Sequence, residues 1–448
     1  MRARRLLMFL ALGTGRALAA GTIDVGPGPL PWVVGGQTTV VWQYHPAFRS
    51  PYAGPHSLRG DAEDAVSHSY GLYAGVRVLP WLELFAEPEM IRGGGISDGR
   101  GLAAYTNGEV IRNPAAGESP YLARAFLRAT LPLGDARERV DGDFFQTPGS
   151  RPTRRLVATA GVLATTDLFE TNRYASSTRT QFLNWSFISD LAYDFAADTR
   201  GYTRGAALEW IDERFAVRAG SFQMPAVANG LALDDDLLRS HGDQLEVETA
   251  PVAVRARPVN VKVTLWENRA RMGEYRAALA RAAQTDTVPS VAATRRPGRV
   301  KYGVAVNLEH PLDDGASGLF GRLGWNDGGT ESFAYTEADW AAAVGAQIGG
   351  DHWRRPDDRC GIAVGADGLS EGHAHYLARG GLGFQLGDGR LSYRPEAVVE
   401  TYYLLAAAPH VGLTLDYQLV VDPGHNADRG PASVVALRLH AELAASGG

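Results

Sequence analysis

Two runs of alternating residues carry side chains that can do chemistry together. In Trp81–Met90 (WLELFAEPEM), Glu83, Phe85, Glu87 and Glu89 face one way and Leu82, Leu84 and Ala86 the other. Leu122–Leu131 repeats the pattern with the opposite charge. Arg124, Phe126, Arg128 and Thr130 oppose Ala125, Leu127, Ala129 and Leu131. Carboxylates and guanidiniums interleaved with rings place fixed hydrogen-bonding groups beside apolar ring faces. Opposed rows of charge also set a transverse field across a pore. The same residues would equally serve as ion pairs bracing a wall. Lys262 with Trp266, Glu396 with Glu400, and Arg438 with His440 are further inward-facing pairs of this kind.

A second candidate region is Thr165–Met224, a long irregular stretch that runs into a hairpin. Asn172, Arg173, Tyr174, Asn184 and Trp185 lie in its polar, aromatic first part. A loop folded into a lumen as a constriction would use such residues, and so would a plug braced by hydrogen bonds. The hairpin itself is Tyr202–Ile211 and Phe215–Met224 about the turn Asp212-Glu213-Arg214.

Other chemistry finds little support. His373-Ala374-His375 has the spacing of a strand-borne metal pair, but only Glu371 lies near it. Asp234-Asp235-Asp236 reads as a solvated loop tip. Neither Gly-Xaa-Ser-Xaa-Gly nor a Gly-rich loop followed by Lys-Ser/Thr occurs, so no nucleophile elbow or phosphate loop is expected, and no cofactor.

The elements that must position these residues begin after a leader. Met1–Ala20 has an Arg-rich start, an apolar Leu6–Leu12 and the small residues Ala17-Leu18-Ala19, as an export signal does. The four charged residues in that stretch are all Arg, which leaves 40 basic against 50 acidic residues beyond it and a formal net charge of about −10. Nucleic acid is an unsuitable partner for such a surface. Cys360 is the single cysteine and excludes an intrachain disulfide, so an exported chain of 448 residues needs another framework. Only Lys262 and Lys301 are lysines; the remaining positive charge is Arg, which suits fixed acceptors on a lumen wall. No composition shift divides residues 21–448, and one domain is expected.

After a Gly/Pro linker over Gly26–Gly36, alternating runs follow one another along the whole chain. Val259–Trp266 is the cleanest: Val259, Val261, Val263 and Leu265 oppose Asn260, Lys262, Thr264 and Trp266. Strands are also expected over Gly380–Leu386 and Leu391–Leu405, with Gly387-Asp388-Gly389 as a tight turn between them. The last strand is Val434–Leu443. Arg269–Ala283 is the only helical pattern, within an excursion to about Arg299. About sixteen strands result. They run to nine or ten residues, longer than soluble strands, and their polar faces carry charges and large aromatics. The expectation is an all-β transmembrane antiparallel barrel with a constricting loop and a short helical excursion.

Longer strings then resemble one family. Asp167–Tyr174 (DLFETNRY), Thr180–Trp185 (TQFLNW), Ala197–Tyr202 (ADTRGY), Arg218–Phe222 (RAGSF), Gly380–Phe384 (GGLGF), Gly387–Leu391 (GDGRL), Glu400–Tyr403 (ETYY), Leu415–Gln418 (LDYQ), Asn426–Pro431 (NADRGP) and Arg438–Glu442 (RLHAE) resemble the carbohydrate-selective porin family (OprB-like). His45-Pro46, Phe48–Tyr52 and Leu122–Arg128 extend the likeness towards the N-terminus. The resemblance implies a sixteen-stranded porin of the bacterial outer membrane that passes small sugars such as glucose by diffusion, as a monomer or homotrimer. It further implies contact with outer-membrane lipid and the barrel-assembly machinery. Leu443 stands where such barrels carry a terminal aromatic, and Ala-Ala-Ser-Gly-Gly follows it. A general or anion-preferring channel, a barrel enzyme with a Ser/His pair at its rim, and an exported β-sandwich binding module are the rival readings.

Overall fold

A computed structural model describes residues 30–110 and 117–448. The proposed leader, and the start of the Gly/Pro linker, lie outside the described residues. Eighteen strands are present among them. In chain order they are β1 (Trp32–His45), β2 (Glu63–Leu79), β3 (Leu82–Gly93), β4 (Tyr121–Pro132), β5 (Arg137–Val140), β6 (Gly149–Pro152), β7 (Arg155–Leu163), β8 (Thr203–Ile211) and β9 (Phe215–Gln223). Then come β10 (His241–Val254), β11 (Arg257–Met272), β12 (Arg296–Pro311), β13 (Gly318–Asn326), β14 (Trp340–Gly349), β15 (Arg359–Gly368), β16 (Glu396–Ala408), β17 (Val411–Val421) and β18 (Ala432–Gly447). All but β5 and β6 close into one antiparallel barrel, β1 pairing with β18, and so no edge is left open. β5 and β6 form a separate two-stranded ribbon.

Alternation sets the faces. Leu72, Leu127, Leu208, Leu265, Ile362 and Leu415 point outward and are exposed, while Glu87, Glu246, Lys262, Arg322, Glu400 and Arg438 point inward and are buried. That is a soluble protein turned inside out, and lipid is the solvent that stabilises it. Outward aromatics gather near the two strand ends: Trp32, Trp81 and Trp210 at one, Tyr44, Tyr302 and Trp325 at the other. Such rings sit at membrane–water boundaries. No helix of the described residues is long and apolar enough to cross a membrane; the crossing is by strands.

The barrel has a turn end and a loop end. β8–β9, β10–β11 and β16–β17 are joined by three, two and two residues, whereas residues 164–202 join β7 to β8 at the loop end. That stretch folds inside the barrel as an irregular segment with one short helix, α1 (Trp185–Ile188). Close approach is possible because β13 is bare where the loop docks: a Cβ at Gly324 would stand 1.9 Å from Asp190 Oδ1. Asn172 donates to Asn307 Oδ1 at 2.7 Å, Arg322 Nε to Glu170 Oε1 at 2.6 Å, and Lys262 Nζ to Glu309 Oε1 at 2.9 Å and to the Thr171 carbonyl. Trp266 packs against Tyr193, with ring centroids 5.9 Å apart.

Several local expectations are corrected. Gly380–Leu386 is not a strand: it follows a helix, α3 (Glu371–Ala378), and Gly387-Asp388-Gly389 belongs to the same covering loop. The pair His373 and His375 therefore sits on a helix, not a strand. Ser370 caps it by accepting from the His373 N–H at 3.2 Å. The helical pattern begins late, because β11 continues to Met272 and only Tyr275–Thr285, α2, is helical. Trp32–Gly36 is strand rather than linker, and β18 runs past Leu443 to Gly447 to complete its ladder with Trp32.

Candidate functional site

Inside the barrel, cavities remain along the wall formed by β2, β3, β4 and β7. The loop-end cavity has a volume of about 440 Å³. Alternation on β3 and β4 delivers the first pieces of the site, since Glu87 pairs in register with Arg124 and Glu83 with Arg128. Arg124 Nη1 donates to Glu87 Oε2 at 2.5 Å. Its Nε and Nη2 grip both oxygens of Asp167, each at 2.7 Å, a fork-on-fork arrangement that fixes the guanidinium in plane. Asp167 is supplied by the first turn of the inward loop, where its side chain also accepts the Ala164 N–H at 3.1 Å.

Glu89, two residues along β3, is the hub of a second set. It accepts from Arg179 Nη2 at 3.1 Å, Tyr121 Oη at 3.0 Å and Tyr202 Oη at 2.5 Å. Arg179 Nε donates to Glu109 at 3.0 Å, which ties the inward loop to the connection between β3 and β4. Burial alone raises the Glu109 pKa; the Arg179 charge and hydrogen bonds from Ser69 and Thr178 outweigh it, and the carboxyl sits below its usual range. Both groups are therefore ionised at neutral pH. Rings complete the lining: the Arg124 guanidinium lies 5.0 Å from the Tyr202 centroid, Arg200 lies 4.1 Å from that of Tyr121, and Trp185 packs 4.7 Å from Tyr335.

Below this set, towards the turn end, lies a cavity of about 610 Å³ lined by Arg77, Glu83, Arg128, Glu209 and Arg218. Arg128 Nη1 donates to the Phe145 carbonyl at 2.8 Å and stands 3.9 Å from Glu83. Phe126 is buried between Phe85 and Phe145 and reaches only a side recess of about 190 Å³.

Of the residues singled out by sequence, Arg124, Glu89, Trp185 and His440 line the loop-end cavity, and Glu83 and Arg128 the turn-end one. Glu87 stands immediately behind Arg124. Lys262 and Trp266 lie on the opposite wall, buried under the inward loop, and Asn172 of that loop is buried against the same wall. Arg173 reaches the Gly315 carbonyl at 2.8 Å, near the β12–β13 turn. Asp167, Arg179 and Tyr202 were not singled out, although all three lie in the inward loop; Asp167 and Tyr202 fall inside the quoted strings. Glu109 and Phe144 had no periodic pattern to mark them.

A closed antiparallel barrel with an apolar outer face, a charged interior and side-chain-lined cavities inside has the architecture of an outer-membrane porin. Residues 63–443 match the carbohydrate-selective porin, OprB family, and the chain belongs to that family. Its structure is similar to that of Pseudomonas putida OprB at high pH, at 15% identity over 93% of this chain and 94% of that one, with a TM-score of 0.66. It is also similar to the outer membrane channel DcaP of Acinetobacter baumannii, at 10% identity over 92% and 97% of the two chains and a TM-score of 0.52. At such identities the likeness to solved structures shows the fold alone. No curated protein matches the chain. Family and fold are those of a channel for carbohydrates rather than of an enzyme.

Proposed function

We propose that small neutral sugars such as glucose cross this porin by sliding between the Arg124–Glu87–Asp167 set and the Glu89–Arg179–Glu109 set. The observation that carries the reading is the double grip on Arg124, which holds a charged donor immobile at the edge of the cavity. A sugar hydroxyl meeting fixed donors and acceptors replaces its water partners without waiting for the wall to reorganise. Tyr202, Trp185 and Tyr335 supply ring surface for the apolar face of a pyranose. Glu83 and Arg128 would receive the solute on the turn side. Around the loop-end cavity six carboxylates (Glu89, Glu109, Asp143, Asp167, Glu170, Glu442) face three guanidiniums (Arg124, Arg179, Arg200), whereas around the turn-end cavity six guanidiniums face Glu83 and Glu209, so the two halves of the route carry opposite fields. A neutral solute is repelled by neither half, and the match to carbohydrate-selective porins supports a sugar over the anion-preferring alternative.

In this reading Met1–Ala20 directs export, residues 21–448 form one barrel domain, the loop end faces outward and the turn end faces the periplasm. Each barrel encloses its own passage, so a monomer and a homotrimer would conduct alike. Swelling of proteoliposomes in isotonic glucose and in an isotonic anionic sugar acid tests the cargo. Glucose should enter several-fold faster; equal rates would contradict a preference for neutral sugars.

A further inference from the structure

The connection from β4 to β7, residues 133–154, is out of proportion to its neighbours at the turn end. The two-residue links 80–81, 255–256 and 409–410 merely reverse the chain. This one instead forms the β5–β6 ribbon and sends its tip, Asp143-Phe144-Phe145-Gln146, up into the lumen. Asp143 and Gln146 exchange both backbone hydrogen bonds, at 3.0 and 2.9 Å. Phe145 closes the turn with φ +53°, a left-handed conformation seldom adopted by a bulky residue. Such strain persists only where surroundings over-determine it. Here they do: Phe145 is buried against Phe85 and Phe126, with centroids 5.8 and 5.3 Å away. The Phe145 carbonyl accepts from Arg128, and Thr147 donates its hydroxyl to Glu83.

Phe145 is thus an anchor, and the residue it holds in place is Phe144. The Phe144 ring is only partly buried, stands edge-on to Tyr73 at 4.9 Å and lies 5.6 Å from the Arg124 guanidinium. It borders the loop-end cavity, the turn-end cavity and the side recess alike. A ring serving only to fill space would be buried like its neighbour.

We propose that Phe144 is a specificity-determining stacking platform, the turn-side sill over which a single pyranose ring must pass with its hydroxyls towards Arg124 and Asp167. This rests on the sugar-channel reading and adds a second boundary to it, contributed from the turn end. A monosaccharide clears the sill one ring at a time, whereas a disaccharide must bend across it.

Current block by glucose in a planar bilayer, with swelling rates for glucose and sucrose, tests the sill in the full-length protein and in Phe144→Tyr, Phe144→Leu and Phe144→Ala. Phe144→Tyr keeps the ring and should keep the block. Phe144→Leu keeps apolar bulk without a ring face and should raise the glucose concentration for half-block about tenfold, the loss of one stacking contact. Phe144→Ala should in addition raise conductance and the sucrose-to-glucose rate ratio. Equal block in Phe144→Leu and wild type, with an unchanged rate ratio in Phe144→Ala, would overturn the proposal while leaving the sugar channel standing. Absence of block in wild type would overturn both.

Discussion

At Arg124 a charge that is largely out of water is held by three carboxylate oxygens, two of Asp167 and one of Glu87. Glu87 is fully buried, so deleting the guanidinium strands a carboxylate with no water to solvate it. Arg124→Ala should therefore cost about 3–5 kcal/mol in urea unfolding from lipid vesicles, the penalty for breaking a buried pair from one side. Glu87→Gln keeps the shape and leaves the Asp167 fork intact, and should cost well under half of that. If both substitutions cost the same, the pair is not the organising contact of the narrowing. Which inward residues meet water is not legible in the sequence at this scale. Arg124 and Lys262 have the same sequence signature, a cation on the polar face of an alternating strand. Lys262 is sealed under the inward loop at Thr171, whereas Arg124, though gripped by Asp167 of the same loop, still borders the loop-end cavity, and no period-2 pattern can separate the two.

The element that decides this is the loop between β7 and β8. Its seat is shaped by absence, since a methyl group at Gly324 would collide with the Asp190 carboxylate. Gly324→Ala should lift that part of the loop from β13, raise single-channel conductance and weaken glucose block; unchanged conductance would count against the loop as the constriction. Asp190 itself carries a pH signature. Burial and then the neighbouring Glu170 push its carboxyl up to about 8. The folded loop therefore holds a proton that the unfolded chain releases near pH 4. The resulting stabilisation is complete below about pH 4 and is lost as pH rises towards about 8. The melting temperature of wild type should fall over that window relative to Asp190→Asn, and parallel curves would refute the assignment. The existence of this loop was legible from its length, polarity and lack of period, and so was the hairpin after it. The β5–β6 ribbon was not, because four-residue arms are too short to show alternation. The Gly380–Leu386 stretch imitated a strand because Gly, Leu and Phe alternate within a covering loop.

For the whole molecule, the ordering force is the bilayer. Leu265 sits mid-strand on β11 with half its surface exposed, in line with Val263 and Val261. Leu265→Arg should cost about 2–4 kcal/mol if lipid covers that face, and almost nothing if water does. Vesicle-refolding titrations distinguish these outcomes. The barrel was legible because alternation is a property of every strand, and because long strands with charged inner faces have few other homes. Closure past Leu443 was not, since a terminal strand continues only when its neighbour offers a ladder, and that neighbour is β1. Passage of sugar is tested most directly by the single-channel current of the refolded protein, titrated with glucose and separately with phosphate. Saturable block by millimolar glucose, with no comparable block by phosphate, is the expected result. Open channels that glucose never blocks would contradict a sugar site between Arg124 and Arg179.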